Sequence, residues 1–151
     1  PRDHLCQVKS LSRLTNIHLH QHAAQQGCLE TLLIKDRYLT EATSSNVFVV
    51  QNNQVLTPKL STYVTDGVTR ATLLTLANRH QIPCIETDIL ESDLAHADEI
   101  WVTGTTKEIC PITQLNGQRI GNGQAGPLWK KFHTLYQAYK HTQLPPSNAL
   151  A

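Results

Sequence analysis

Four short segments hold side chains or backbone that could do chemistry. In Cys6-Gln7-Val8-Lys9-Ser10-Leu11, a lysine stands between a short apolar run and a helical pattern. Most lysines at such a place are solvated surface groups, but a lysine amine is also a nucleophile and a base when its neutral form is accessible. In Thr40-Glu41-Ala42-Thr43-Ser44-Ser45-Asn46-Val47-Phe48, a carboxylate and a row of hydroxyl and amide groups crowd the bend between two strand patterns. A polar hairpin turn alone would explain them. Gly67-Val68-Thr69-Arg70 feeds a glycine turn into a helix, with Thr69 as the expected N-cap. Free N–H groups and the positive end of the helix dipole also suit such a turn to a phosphate. The fourth, Thr103-Gly104-Thr105-Thr106, is a small-residue turn after Ile100-Trp101-Val102, able to hold an anion or simply to reverse the chain.

Other candidate groups lead less far. His18 and His22 share a helix face at i, i+4 spacing, yet no carboxylate or cysteine follows at ligand spacing, so no metal site is expected. Cys6, Cys28, Cys84 and Cys110 are widely spread, contain no C-x-x-C pair and read as free thiols in a reducing compartment.

The elements that must position these groups follow from apolar periodicity. A helix is expected over Thr15 to Gln26, with Leu14, Ile17 and Ala24 on its inner stripe and Gly27 as its stop. Strands are expected at Leu29 to Ile34, Tyr38 to Thr40, Val47 to Val50 and Val55 to Thr57, separated by the turn pairs Asp36-Arg37 and Asn52-Asn53. A helix over Thr69 to His80 and a last one over Leu128 to Tyr139 enclose strands at Ile82 to Glu86, Ile100 to Thr103 and Ile109 to Thr113. A glycine-rich bend runs from Gly117 to Gly126. Strands and helices mix without strict β-α-β alternation, which favours an α+β fold over a doubly wound sheet.

The 151 residues suffice for one domain, expected over residues 1–143 with a frayed tail at 144–151. Thirteen Lys and Arg balance twelve Asp and Glu, which gives a net charge of +1 and no basic footprint for nucleic acid. No run approaches the roughly 20 apolar residues of a membrane helix, and the start Pro1-Arg2-Asp3-His4 lacks a signal-peptide core, so a soluble, cytoplasmic protein is expected.

Taken together, in order and spacing, the four segments resemble those of class IV aminotransferases, and most of all the D-amino-acid transaminase branch. The fourth extends for this purpose from Ala97 through Ile109, and Gly117-Gln118-Arg119-Ile120-Gly121-Asn122-Gly123 with Gly126-Pro127 fits as well. The resemblance implies an α+β domain with a mixed, largely antiparallel sheet forming a pseudo-barrel with packed helices. It implies pyridoxal 5'-phosphate as cofactor, an amino acid and a 2-oxo acid as substrates, and a homodimer. Lys9 would form the Schiff base and shuttle the substrate's α-proton, with Glu41 facing the pyridine nitrogen. Val68, Thr69 and Thr105 would hold the phosphate, Ser45 and Asn46 would support the ring, and Gly104 and Thr106 would border the substrate carboxylate.

The same resemblance marks departures. The family's smaller N-terminal domain is expected to be absent from this chain. Thr65 stands where relatives usually have a leucine on the ring face. Leu14, five residues after Lys9, replaces the tyrosine usual in branched-chain aminotransferases, which favours the D-amino-acid branch. An aminodeoxychorismate lyase, a branched-chain aminotransferase, or a non-catalytic cofactor-binding or dimerisation module stay open as alternatives.

Overall fold

The structure, a computed structural model, describes residues 14–143. Lys9 and the expected tail from residue 144 lie outside the described residues. Helix α1 (Leu14–Gln25) is followed by Gly27 in the left-handed region, φ 71°. Its inner face differs from the expected stripe: Leu14 is 78% exposed, Ile17 49%, and Ala24 is exposed as well. The buried residue is Ala23, and Asn16 donates to the carbonyl of Thr43 at 2.9 Å. The helix rests on the polar bend around Thr43, so small and polar side chains make its contact and the larger apolar ones face outward.

Strands β1 (Leu32–Lys35) and β2 (Tyr38–Ala42) form one antiparallel hairpin, and β3 (Asn46–Gln51) and β4 (Gln54–Pro58) another. Both turn on two residues with positive φ: Asp36 and Arg37 at 51° and 69°, Asn52 and Asn53 at 50° and 60°. That geometry matches the right-handed twist of the strands it joins. Helix α2 (Val68–Arg79) leads into β5 (Cys84–Thr87), which pairs in parallel with β4. A 3₁₀ turn (Glu91–His96) precedes β6 (Glu99–Gly104), which is followed by β7 (Glu108–Ile112), the small hairpin of β8 (Gln114–Leu115) and β9 (Gln118–Arg119), and helix α3 (Pro127–Gln143). The main sheet runs β5-β4-β3-β6-β7, with every pair antiparallel except β4 and β5. This is the expected α+β fold with a mixed, largely antiparallel sheet, containing one β-α-β crossover.

The middles of β3, Val47 to Val50, and β6, Ile100 to Val102, are apolar without interruption because both their faces are covered. Val47, Val49, Ile100 and Val102 face one core with Leu39, Ile89 and Ile120; Phe48, Val50 and Trp101 face another with Leu73, Leu76 and Phe132. The rings of Trp101 and Phe132 stand 5.2 Å apart. Truncating fully buried Phe132 to alanine removes a contact of this kind at a cost of about 3–5 kcal/mol.

Glu99 anchors α3 from β6. Its two carboxylate oxygens accept the N–H groups of Leu128 at 2.9 Å and Trp129 at 2.8 Å, and also the indole N–H of Trp101 at 2.9 Å. An anion at a helix N-terminus satisfies donors that have no intrahelical partner. Gly126 leaves it room, since a Cβ there would collide with the Glu99 carboxylate.

Cys28 is exposed, and Cys84 and Cys110 are half-buried free thiols. Burial pushes the Cys84 thiol up to about 11, against the nearby Arg70 charge, and raises Cys110 too.

Candidate functional site

Glu41 lies at the end of β2 and is 2% exposed. Its carboxylate accepts the backbone N–H of Thr65 at 2.8 Å. The Thr65 carbonyl in turn accepts the side-chain amide of Asn46 at 2.7 Å. The two polar residues flanking the bend are thus tied, through one backbone unit, to the segment that enters α2.

That segment makes a close approach. Gly67 has extended backbone, φ −81° and ψ 135°, so its freedom of conformation is not needed. What matters is space, because a Cβ at Gly67 would collide with Oδ1 of Asn46. Gly67, not Thr69, is the N-cap of α2, and it offers no side-chain cap hydrogen bond. Thr69 is the second helical residue and is buried. The capping role expected for Thr69 is therefore corrected. Without a capping side chain, the first-turn N–H groups of α2 stay available to an anion. Buried Arg70 bonds the Pro58 carbonyl at 2.8 Å and pairs with Glu86, which fastens the helix start to the ends of β4 and β5.

Strand pairing brings in the last motif. Asn46 at the start of β3 pairs with Thr103 near the end of β6. At Gly104 a Cβ would stand 3.6 Å from the Ser44 carbonyl oxygen and 3.7 Å from Oγ of Ser45. Glu41, Ser45, Asn46 and Gly104 therefore lie along one edge with the entry to α2. Thr105 and Thr106 follow Gly104 in the exposed turn before β7. Thr103 Oγ1 is buried without a hydrogen-bond partner.

Two groups that carried no weight in the sequence belong here. Glu30, between α1 and β1, accepts the Ser44 N–H at 3.1 Å and the hydroxyls of Ser44 and Ser45 at 3.0 and 3.2 Å. It also accepts the Thr43 hydroxyl and pairs with the ammonium of Lys107. Burial works against its ionisation, but the hydrogen bonds from Lys107, Thr43 and Ser44 outweigh it and hold the carboxyl below the usual glutamate range. A groove of about 280 Å³ along α2, lined by Val68, Ala71, Leu76 and Tyr139 among others, lies elsewhere and contains none of Glu41, Ser45, Asn46 or Thr105. Val68, at 80% exposure, presents its side chain there, so any role in anion binding falls to its backbone N–H.

His18 and His22 are exposed on α1, and among the described residues no group of three or more His, Cys, Asp or Glu is placed to hold a metal. No helix among them is long and apolar enough to cross a membrane.

A buried acid tied to the segment entering a helix start without a side-chain cap thus lies on the same sheet edge as a small-residue turn. The family model for amino-transferase class IV matches residues 1–115, and the chain belongs to that family. It is 38% identical over 132 residues to a D-alanine aminotransferase of Bacillus licheniformis, an alignment covering 87% of this chain and 47% of the relative. In structure it resembles a branched-chain aminotransferase from Thermoproteus uzoniensis, solved with norvaline, at a TM-score of 0.82 and 28% identity over 87% of this chain and 44% of that one. An aminotransferase from Brucella abortus bound to pyridoxal phosphate matches at a TM-score of 0.78 and 25% identity over 85% of this chain and 45% of that one. The chain spans about half the length of the relatives it matches.

Proposed function

We propose that this chain is the pyridoxal-phosphate-carrying part of an aminotransferase that moves an amino group between a D-amino acid and a 2-oxo acid. The observation that carries the reading is the convergence of Glu41, Asn46, Gly67 and Gly104, from three separate motifs, on one edge of the sheet. The residues fit the cofactor's chemistry. Glu41 offers a buried carboxylate to a protonated ring nitrogen, and the start of α2 offers N–H groups to a phosphate.

When bound, the cofactor supplies an electrophilic carbonyl and an electron-withdrawing ring. The chain's own residues do the rest. Lys9 holds the cofactor covalently through its amine and later carries the proton of the substrate's α-carbon. Glu41 keeps the ring nitrogen protonated. The Val68 and Thr69 N–H groups and the Thr69 and Thr105 hydroxyls hold the phosphate. Ser45 and Asn46 support the ring, and Gly104 and Thr106 border the substrate carboxylate. A homodimer in a reducing, cytoplasmic setting completes the reading, and Cys28, Cys84 and Cys110 as free thiols are compatible with that setting.

The test is direct. Pyridoxal phosphate added to the chain should produce a visible absorption band, and borohydride reduction followed by peptide mapping should find the cofactor on Lys9. Lys9→Ala should abolish both. A shift of the band with D-alanine but not L-alanine supports the D-amino-acid branch, which the relatives named D-alanine aminotransferase also favour; a shift with L-branched amino acids alone supports the branched-chain reading. A cofactor attached to another lysine refutes the assignment.

A further inference from the structure

We propose that Glu30 is a positioning residue which, with Lys107, sets the separation between the Ser44–Ser45 bend and the Gly104–Lys107 turn, the two loops that border the ligand site. This rests on the function proposed above. The contacts form a closed unit. Lys107 donates to Ser44 Oγ at 2.9 Å and to Oε2 of Glu30, and Ser44 Oγ donates to that same carboxylate oxygen. Ser45 Oγ adds a third donor to Oε2, while Oε1 takes the Ser44 N–H and the Thr43 hydroxyl. One carboxylate thus gathers three consecutive residues of the bend and reaches across to a residue 77 positions later. His20 stands 3.8 Å from it on the α1 side.

Stability alone is a poor reason for this arrangement, because a buried ion pair often does no better than apolar packing. Position is a better one. Among the described residues, the bend's turn bonds between backbone groups run from Ala42 N–H to the Ser45 carbonyl and from Thr43 N–H to the Thr31 carbonyl, and Asn16 adds a side-chain donor to the Thr43 carbonyl; Ser44 is tied through Glu30 instead. Its N–H and hydroxyl both go to Glu30. Gly104 lies beside Ser44 and Ser45, near enough that an added Cβ would reach van der Waals contact with both, and Asn46 pairs with Thr103, so the bend adjoins the turn carrying Thr105 and Thr106. Lys107 is occupied by Glu30 and Ser44 and serves as a strut between the loops, not as a free cation for the substrate.

The experiment compares the whole chain with Glu30→Gln, Lys107→Met, Lys107→Arg and the Glu30→Gln/Lys107→Met pair, reading two quantities: affinity for pyridoxal phosphate by absorbance titration, and thermal unfolding without cofactor. Glu30→Gln and Lys107→Met should each weaken binding about tenfold, the size expected when a supporting group is lost from a preorganised site. The double variant should bind no worse than the weaker single one, since both cut the same strut. Lys107→Arg, which keeps the cation, should bind within about twofold of the parent. Variants that melt earlier but bind the cofactor as tightly as the parent overturn the proposal, leaving Glu30 a structural residue only. If Glu30→Gln does not fold, the contrast between Lys107→Met and Lys107→Arg decides, and equal affinities refute it. A parent chain that takes up no cofactor removes the function and this inference together, whereas a parent that binds while its variants match it removes this inference alone.

Discussion

Replacing Glu41 by glutamine should separate the acid's chemical role from its structural one. The amide keeps a carbonyl oxygen where the carboxylate accepts the Thr65 N–H at 2.8 Å, so that bond can be retained. Stability should then fall by no more than about 1 kcal/mol, the scale of one net hydrogen bond. Toward a protonated ring nitrogen the loss is larger. A hydrogen bond to a charged group contributes about 1.5–3 kcal/mol, and a neutral one about 0.5–1.5. The difference, about 1–1.5 kcal/mol, corresponds to roughly 5- to 13-fold weaker binding of pyridoxal phosphate. Glu41→Ala makes the contrast, because it also strips the acceptor from Thr65 and should cost a further 1–3 kcal/mol or so in stability. Absorbance titration gives the affinities, and thermal unfolding without cofactor gives the stabilities. If Glu41→Gln binds the cofactor as tightly as the parent, Glu41 does not face a protonated ring nitrogen.

Gly67→Ala tests the close approach at the start of α2: the new methyl must displace the Asn46 side chain, and an overpacked site of this kind costs about 1–3 kcal/mol, read as an earlier thermal transition together with weaker cofactor binding. A variant matching the parent in both would show that the contact with Asn46 is not tight. Glu99→Gln should lower stability by about 2 kcal/mol, because one of the N–H groups of Leu128 and Trp129 then meets an amide NH₂ and the charge at the α3 N-terminus is lost; unchanged urea unfolding would refute the anchor. Acid should act through Glu30, whose folded-state carboxyl titrates below its usual value. A depressed pKa stabilises the fold above the unfolded value of about 4.3 and ceases to as pH falls through the folded value. The stability gap between the parent and Glu30→Gln should therefore be full at pH 6, where His20 and Lys107 face an ionised carboxylate, and should shrink below about pH 4. A gap constant down to pH 3 would contradict that.

Local chemistry was readable from the sequence wherever one or two residues decide the outcome. Asp36-Arg37 and Asn52-Asn53 signalled their hairpins, and both pairs adopt the left-handed backbone their turns require. The strands showed as apolar runs, and the three motifs within the described residues, around Glu41 to Asn46, Gly67 and Gly104, meet along one sheet edge. The inner face of α1 was misread because periodicity assumes an apolar seat, whereas the surface beneath it is the polar bend at Thr43. Glu30, Lys107 and Glu99 were missed for a different reason. Their partners lie 14, 77 and about 30 positions away, and nothing local distinguishes such a carboxylate from a solvated one. The only nearby signal was the cluster of hydroxyls at Thr43 to Ser45, which calls for an acceptor without naming it.

Strand direction explains why distant motifs meet. Because β3 and β6 are antiparallel and Asn46 pairs with Thr103, the start of one strand and the end of the other must share an edge, and the bend before β3 must adjoin the turn after β6. Strand β4 runs back antiparallel to β3, with Thr57 Oγ1 bonded to the Val47 carbonyl at 2.8 Å, so the chain leaves β4 at that same edge before it enters α2. Three motifs are thereby delivered to one place by pairing register alone. That register is firmly set because both faces of β3 are buried. A slip of one residue would turn Phe48 toward the core of Val47 and Val49, and those residues toward that of Trp101 and Phe132. Register fixes which loops meet, but not how far apart their tips stand, since Ser44 and the turn from Thr105 to Lys107 lie beyond the last paired positions. A buried carboxylate with donors from both loops supplies that remaining constraint.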